Sequence, residues 1–360
     1  MADGKTKQEL AAVDAQLLEL IAARARICRQ ATESHAPLTA CDDAACLLQL
    51  EEKATSDLPK ASIRAIFGQI FAELSALSEP IGVSYLGPEE GFSHRIARLR
   101  FGSSAKLTEC TTVADALDEV VRGRARFAVF PFESSVDGLV QPAVMALAER
   151  DIVLVAEHRA PATYDLVSRK RATIEVGHVV ATAAAHAACE RAVESMFPGA
   201  AKVDVRSPKA VAEMVTEDPC RVGILPGGAA RVSGLEVAKS NIGDTPDLSF
   251  RFGIASTRPA SRTGSDITAL LFSVNDEPGS LFEVLKHFAE RGINLRRLQS
   301  RPVTGQGYDY LFYVEVSGHV TDRPVVTALE AVKPKARTLK VLGSFQASEL
   351  ATSNAKGVIR

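Results

Sequence analysis

The sequence shows no strong bias toward one sign of charge. Lys and Arg number 42 against 44 Asp and Glu, a formal net charge of −2, and no basic run stands out. A phosphate backbone is met by clustered cations, so a nucleic-acid partner is disfavoured. No apolar run reaches the ~18 residues of a membrane span. The opening MADGKTKQEL has no apolar leader-like segment, so a cytoplasmic protein without membrane contact is expected. The six cysteines, at 28, 41, 46, 110, 189 and 220, form no CxxC pair. Their spacing fits neither a zinc site nor a disulfide framework, and reduced thiols filling core space are expected, with no metal and no cofactor. Hydrophobic residues make up 46% of the chain, enough for ordinary buried cores. A chain of 360 residues suggests two or three domains.

The chain reads as three parts. Residues 1–80 carry helical periodicity only. Leu10, Val13, Leu17, Leu20, Ile21 and Ile27 recur at three- and four-residue steps and predict a long amphipathic helix. Arg24 interrupts that stripe, seven residues after Leu17. A charge on an inward row is costly unless it is paired or faces a site, and both readings stay open. A second helix is predicted around Ala44–Ala54. A third is predicted over Lys60–Leu77, with Ile63, Ile66, Ile70 and Leu74 on one face.

From 81 to 256, apolar strands such as IGVSYLG, RFAVFPF and DIVLVAE alternate with helical segments such as Thr112–Arg122 and His186–Met196. This predicts an α/β region with largely parallel sheets, as one domain or two lobes around a cleft. Ligands in such folds sit beyond the carboxyl ends of the strands. Thr257–Gly264 reads as a linker. From 265 to 348 the order β-α-β-β-α-β predicts a ferredoxin-like unit, its first helix opened by Pro278-Gly279 and closed by Gly292.

This last unit resembles an ACT domain, a small amino-acid-binding module. EPGSLFEVL, GINL and QSRP carry the resemblance. It implies an effector site formed by Gly279, Ser280, Leu281, Asn294, Leu295, Gln299, Ser300, Arg301 and Pro302, with L-phenylalanine as the effector. A helix start with glycine offers free N–H groups to a carboxylate. YLGPEEGFSH (Tyr85–His94) and AVFPFESSVDGLV (Ala128–Val140) resemble the LGPEGTFS and VPIENSxxGxV motifs of prephenate dehydratases, and SFRF (Ser249–Phe252) falls where that family has Thr-Arg-Phe. The helical block resembles an all-α chorismate mutase, most closely over Val13–Arg24. The order mutase, dehydratase, ACT is that of the bifunctional enzymes of phenylalanine synthesis. The implied architecture is an all-α block, a two-lobed α/β domain like periplasmic binding proteins, and an ACT domain, assembled as a homodimer or homotetramer.

The resemblance also assigns residues. In the mutase-like block, Lys7 and Arg24 match two cations and His35 stands where a lysine is expected. Asp43 or Ala44 falls where Arg and Glu belong, and Leu74 and Ser78 hold the terminal polar positions. Each lost donor of a preorganised site can cost ~10²–10³ in rate. The block is therefore expected to lack significant mutase activity and to serve in dimerisation. In the dehydratase region, Arg251 is the expected bidentate clamp for a prephenate-like dicarboxylate. Phe252, Ser249 and Glu133 complete the expected catalytic set, and Ser93, Ser134, Ser135 and Gly138 are expected to contact substrate. Phe250 stands where the family carries the threonine that assists the leaving hydroxyl, and a phenyl ring has no donor. Strand alternation puts Ser249 on the face of Arg251 and Phe250 on that of Phe252, so only a bulge would exchange them. Three functions stay open: a phenylalanine-regulated prephenate dehydratase, a non-catalytic amino-acid sensor, and a decarboxylase that leaves the ring non-aromatic.

Overall fold

The computed structural model describes residues 2–33, 46–47, 49–78, 81–169, 176–302 and 310–347. It divides into two compact units, residues 1–82 with 97–106 and residues 83–96 with 107–360.

The first unit is built on helices α1 (Ala2–Glu33) and α2 (Lys60–Ser78). Of the expected second helix, residues 46–47 and 49–51 are helical. Ile63, Phe71 and Leu74 of α2 are buried, while Ile66 is turned outward. Phe71 is buried in its place on the inward side, and Arg24 lays its guanidinium over the Phe71 ring, 3.9 Å from the centroid. Glu51 is buried and is held by Arg64 through two bonds of 2.6 and 3.0 Å. The expected stripe of α1 is on the surface of the single chain. Leu10, Val13, Leu17, Leu20 and Ile27 are each at least half exposed.

After α2 the chain forms β1 (Gly82–Leu86), α3 (Phe92–Phe101), β2 (Lys106–Cys110) and α4 (Val113–Val121), with residues 97–106 counted in the first unit and the rest of this stretch, from 83 on, in the second. Thr112 caps α4, its hydroxyl accepting from the Asp115 N–H at 3.0 Å. Then come β3 (Phe127–Ser134), β4 (Gly138–Leu139), α5 (Gln141–Ala148) and β5 (Val153–Pro161). The chain crosses to a second sheet for β6 (Tyr164–Ser168), β7 (His178–Thr182), α6 (Ala183–Ala188), α7 (Glu190–Met196) and β8 (Ala201–Val205). It continues there through α8 (Pro208–Glu217), β9 (Arg221–Pro226), α9 (Ala230–Ser233) and β10 (Glu236–Lys239). It returns as β11 (Ser249–Ser256). The segment expected as one helix over His186–Met196 is broken at Cys189, which leaves helical geometry with φ −125°.

The ferredoxin-like order holds: β12 (Asp266–Ser273), α10 (Ser280–Ala289), β13 (Leu295–Pro302), β14 (Tyr310–Ser317), α11 (Arg323–Val332) and β15 (Thr338–Gln346). Among the described residues one sheet runs β13-β14-β12-β15-β5-β11-β3-β1-β2, and the other β10-β6-β9-β7-β8. The α/β region thus has two lobes, and its sheets are mixed rather than largely parallel. β11 returns antiparallel between β3 and β5, and β6 lies antiparallel to both β9 and β10. Each lobe keeps a parallel pair or trio of strands. The reversed strands, β6 and β11, are each the first strand after a crossing between the lobes.

The C-terminal sheet joins the first lobe through β15 and β5, which meet in parallel at Gly343 and Leu154. Gly343 has φ +145°, and a Cβ there would lie 2.6 Å from the Leu154 backbone nitrogen and closer still to its carbonyl oxygen. Only glycine lets the two backbones approach so closely. Lys340 of β15 donates to the carbonyls of Ala148 and Arg150 at the end of α5. One core fills this seam, with Leu117, Phe130, Phe132 and Leu154 packing with Ile267, Leu271, Tyr313 and Phe345. Burial of each such side chain contributes about 1.5–3 kcal/mol. A second core lies between the C-terminal sheet and its two helices, with Phe272, Phe288 and Val314 at its centre.

Candidate functional site

The first motif forms a tight turn between β1 and α3. Gly91 N–H donates to the Pro88 carbonyl at 3.0 Å, and a Cβ on Gly91 would sit 2.7 Å from that oxygen. The turn delivers Phe92, buried Ser93 and buried His94 to the start of α3. His94 Nδ1 accepts from the Glu90 N–H at 3.2 Å, and its ring lies 5.1 Å from that of Tyr85.

The second motif is the turn between β3 and β4. The Ser134 hydroxyl accepts from the N–H groups of Val136 and Asp137 at 3.2 and 3.3 Å. Gly138 closes the turn with φ +73°. Ser135 and Ser249 tie the turn to β11: Ser135 N–H donates to the Ser249 carbonyl at 2.9 Å, and Ser249 N–H donates to the Ser135 hydroxyl at 3.0 Å. The structure thus brings Glu133, Ser134, Ser135, Gly138, Ser249 and Arg251 into one neighbourhood.

Arg251 does not open onto a cleft there. It is 4% exposed. Its Nε faces Glu133 Oε2 at 2.9 Å, and its Nη1 faces Glu157 Oε2 at 3.0 Å and Glu315 Oε1 at 2.5 Å. Tyr313, fully buried, donates to Glu315 at 2.5 Å. Arg297 pairs with Glu133 and stands 3.9 Å from Glu315. Burial works to lower the Arg251 pKa, but the surrounding Tyr313, Glu315 and Glu157 outweigh it, and the net shift is upward. Expectation and geometry part here. Arg251 and Glu133 belong to an internal ion cluster between the first lobe and the C-terminal sheet, and a substrate carboxylate would have to displace a carboxylate already bound. An open cavity of about 430 Å³ lies beside the cluster, lined by Glu157, Arg159, Arg296, Arg297 and Glu315 among others.

Phe250 and Phe252 share a face as alternation requires, their ring centroids 6.1 Å apart. β11 does pair irregularly with β3 between Arg251 and Phe252. The extra residue is Phe132 on β3, so β11 keeps its alternation and Ser249 is not exchanged for Phe250. Phe252 is buried. The Phe250 ring meets Phe92 at 6.1 Å, and Phe92 meets Tyr164 of the second lobe at 5.4 Å. These three rings cross from one lobe to the other. Burial, then the neighbouring Cys189, pushes the Tyr164 hydroxyl up to about 12.

A further cation stands on this boundary. Arg95 follows Phe92 by three residues on α3 and projects from the same face. Its Nη1 donates to the Gly227 carbonyl, just beyond the carboxyl end of β9. Its Nη2 lies 3.0 Å from where a Cβ would sit on Gly228, a residue at φ +84°. Burial lowers its pKa, with Glu90 and Asp165 acting in the opposite sense. The Asp165 oxygens accept from the N–H groups of Gly228 and Asn241. Sequence reasoning misses Arg95; its one signal is the three-residue step from Phe92. It also misses Glu157, Arg297, Tyr313 and Glu315, although a glutamate inside the apolar run LFYVEVS is a visible mark.

The expected effector residues fall on two faces of the C-terminal sheet. Gly279, at φ +89°, precedes α10; Ser280 begins that helix, and Leu281 packs on the core beneath it. Ser300 lies opposite Phe312 on the same face. Gln299 lies opposite Tyr313, on the face toward the first lobe. The Gln299 amide approaches Gly138, and Arg301 Nη2 donates to the Asp137 carbonyl at 3.4 Å. The Asn294 carbonyl accepts from the Ser317 N–H at 2.9 Å, Leu295 pairs with Val316, and Pro302 with Tyr310. Within one chain, Gln299 and Arg301 therefore face the β3–β4 turn rather than the start of α10.

In the helical unit, Lys7 and Arg24 are 17 residues apart on one helix, about 26 Å at 1.5 Å per residue. They cannot converge on one ligand within a single chain. Leu74 is buried, and His35, Asp43 and Ala44 lie outside the described residues. Among the described residues no group of three His, Cys, Asp or Glu side chains is arranged to hold a metal ion.

Residues 83–260 match the family model "Prephenate dehydratase", and residues 268–334 match "ACT domain". The chain is 31% identical to a bifunctional chorismate mutase/prephenate dehydratase of Aquifex aeolicus (strain VF5), over 94% of this chain and 96% of that protein. It is similar to the solved structure of a prephenate dehydratase in complex with L-Phe from Arthrobacter aurescens, at 32% identity and a TM-score of 0.63, covering 74% of this chain and 90% of that one. A structure described as GqqA, a novel type of quorum quenching acylase, is similar at 28% identity and a TM-score of 0.62, covering 74% of this chain and 98% of that one. Motifs, two-lobed fold and relatives agree, and the chain belongs to the prephenate dehydratase family, with an ACT domain following the dehydratase region.

Proposed function

We propose that the protein is a prephenate dehydratase of phenylalanine biosynthesis, acting in the cytoplasm and regulated by L-phenylalanine at its ACT domain. The observation that carries this reading is the similarity over 94% of the chain to a relative named for that activity. In the reaction the ring carboxylate leaves as CO2, its bonding electrons enter the ring, and the ring hydroxyl departs as water after taking up a proton. The protein must hold two carboxylates and assist the departing hydroxyl.

Phe250 makes this member slow. It stands against Phe92 and supplies no donor, and loss of general-acid help costs ~10²–10⁴ in rate. The same residue favours a second reading, in which prephenate loses CO2 without aromatising or is bound without turnover. Incubation of the full chain with prephenate separates them, following phenylpyruvate, residual prephenate and any non-aromatic product, with and without L-phenylalanine. Phenylpyruvate formation that responds to L-phenylalanine, and rises in Phe250→Thr, is the expected result. No consumption of prephenate at micromolar enzyme removes the enzymatic readings.

In this proposal the N-terminal unit is a chorismate-mutase-like remnant that joins two copies of the chain. Leu10, Val13, Leu17, Leu20 and Ile27 follow the 3.5-residue spacing of a helix seam and are exposed in the single chain. Leu17→Glu with Leu20→Glu should weaken the assembly in analytical ultracentrifugation; an unchanged sedimentation coefficient would remove this role. Chorismate turnover by the full chain should be absent or weak, because Leu74 and Ser78 offer little to a dianion.

A further inference from the structure

Two arginines of the dehydratase region, buried Arg251 and half-buried Arg95, have opposite surroundings. Arg251 is enclosed by three carboxylates. Arg95 has none: among the described residues no carboxylate oxygen lies within 4 Å of its guanidinium, and its hydrogen-bond acceptor is the backbone carbonyl of Gly227. A guanidinium has five N–H donors, and a neutral carbonyl satisfies little of its charge. Burial already lowers its pKa, so the charged form lacks solvation that a ligand could restore.

Its position suits a ligand. Gly227 and Gly228 follow β9, at the strand end where α/β folds place their ligands. The guanidinium lies against Gly228, where a side chain would crowd it. Phe92, one helical step away, joins Phe250 and Tyr164 in the three rings that cross the same boundary. An anion held by Arg95 would thus have aromatic surface beside it. Asp165 and Glu90 are the acidic groups nearest in charge, and Asp165 already accepts two N–H groups of its own lobe.

We infer that Arg95 is the substrate-positioning cation at the boundary between the lobes, exchanging the Gly227 carbonyl for a carboxylate of a ring-bearing acid, while Arg251 holds the sheet together. This deepens the proposed function and rests on it for the identity of the acid. It also marks this chain's specificity: a carboxylate is preferred to a neutral analogue of the same shape.

Calorimetric titration of the full chain with phenylpyruvate, 3-phenylpropanoate and 3-phenylpropanamide tests this, alongside kinetics with prephenate. The wild type should bind the carboxylates and discriminate against the amide. Arg95→Gln should weaken carboxylate binding about 10- to 100-fold, the scale of hydrogen bonds to a charged group, and abolish the discrimination. Arg95→Lys should retain part of it, having the charge without the fork. KM for prephenate should rise with little change in kcat. Three results would overturn the inference: wild-type-like discrimination in Arg95→Gln, a loss of melting temperature in both variants with affinities intact, or no carboxylate binding by the wild type. In the first two the dehydratase reading stands if prephenate is still consumed; the third, together with no turnover, removes that reading as well.

Discussion

Replacing Arg251 by Met should destabilise the protein, not merely empty a binding site. The substitution keeps an apolar stem of similar reach and removes the charge. Glu133 retains Arg297 as a partner, but Glu157 is left with Arg159 at 3.9 Å and Glu315 with Arg297 at 3.9 Å. Neither glutamate is solvated, since both side chains are nearly fully buried. Removing one member of a buried ion pair costs about 3–5 kcal/mol, and for a unit of this size each kcal/mol lowers the melting temperature by about 2–4 °C, so a loss of about 6–20 °C is expected. Differential scanning calorimetry of the full chain measures it. Adding Glu315→Gln to Arg251→Met should cost less than Glu315→Gln alone, because it removes a charge that no longer has its main partner; a coupling of about 0.5–3 kcal/mol is expected. The amide carbonyl introduced by Glu315→Gln still offers Tyr313 an acceptor. A melting temperature indistinguishable from wild type, with prephenate binding lost, would refute this reasoning and return Arg251 to the role of an open substrate clamp.

Two further outcomes follow from the packing and the charges. Gly343→Ala should separate the seam between β15 and β5, because the new methyl would fall on the Leu154 backbone; urea denaturation should show a loss of at least about 1–3 kcal/mol, and an unchanged midpoint would mean the seam yields easily. Asp118 is bound by Arg150 at 2.6 Å, which holds its carboxyl below the ordinary range. A carboxyl depressed in the folded state stabilises at neutral pH, and this contribution disappears as pH falls through the folded-state value. Asp118→Asn should therefore be less stable than wild type at neutral pH and approach it in acid; a gap that widens in acid would contradict the sign.

Much of the architecture is readable from local pattern. The β-α-β-β-α-β order of the C-terminal unit follows from apolar alternation, Gly279 before one helix and Gly292 after it. α4 appears where Thr112 and the apolar spacing place it. Each signal lies within a few residues, because capping and periodicity are short-range effects. The break at Cys189 and the outward turn of Ile66 escape such reading. The antiparallel insertion of β11 escapes it too, because strand direction depends on which lobe the chain has just left.

The candidate site divides the same way. The shared face of Phe250 and Phe252 is a property of a short segment and could be read from it. The roles of the two arginines could not. Arg251 looks like a ligand clamp in SFRFG until Glu133, Glu157 and Glu315 are seen around it, residues contributed by three other strands. Arg95 looks like a solvated helix charge in SHRIA until Gly227 of the other lobe faces it. A side chain's charge is written in the residue itself. Whether that charge is satisfied depends on what the folded chain brings within a few ångströms, and Coulomb energy and desolvation act through that distance rather than along the sequence.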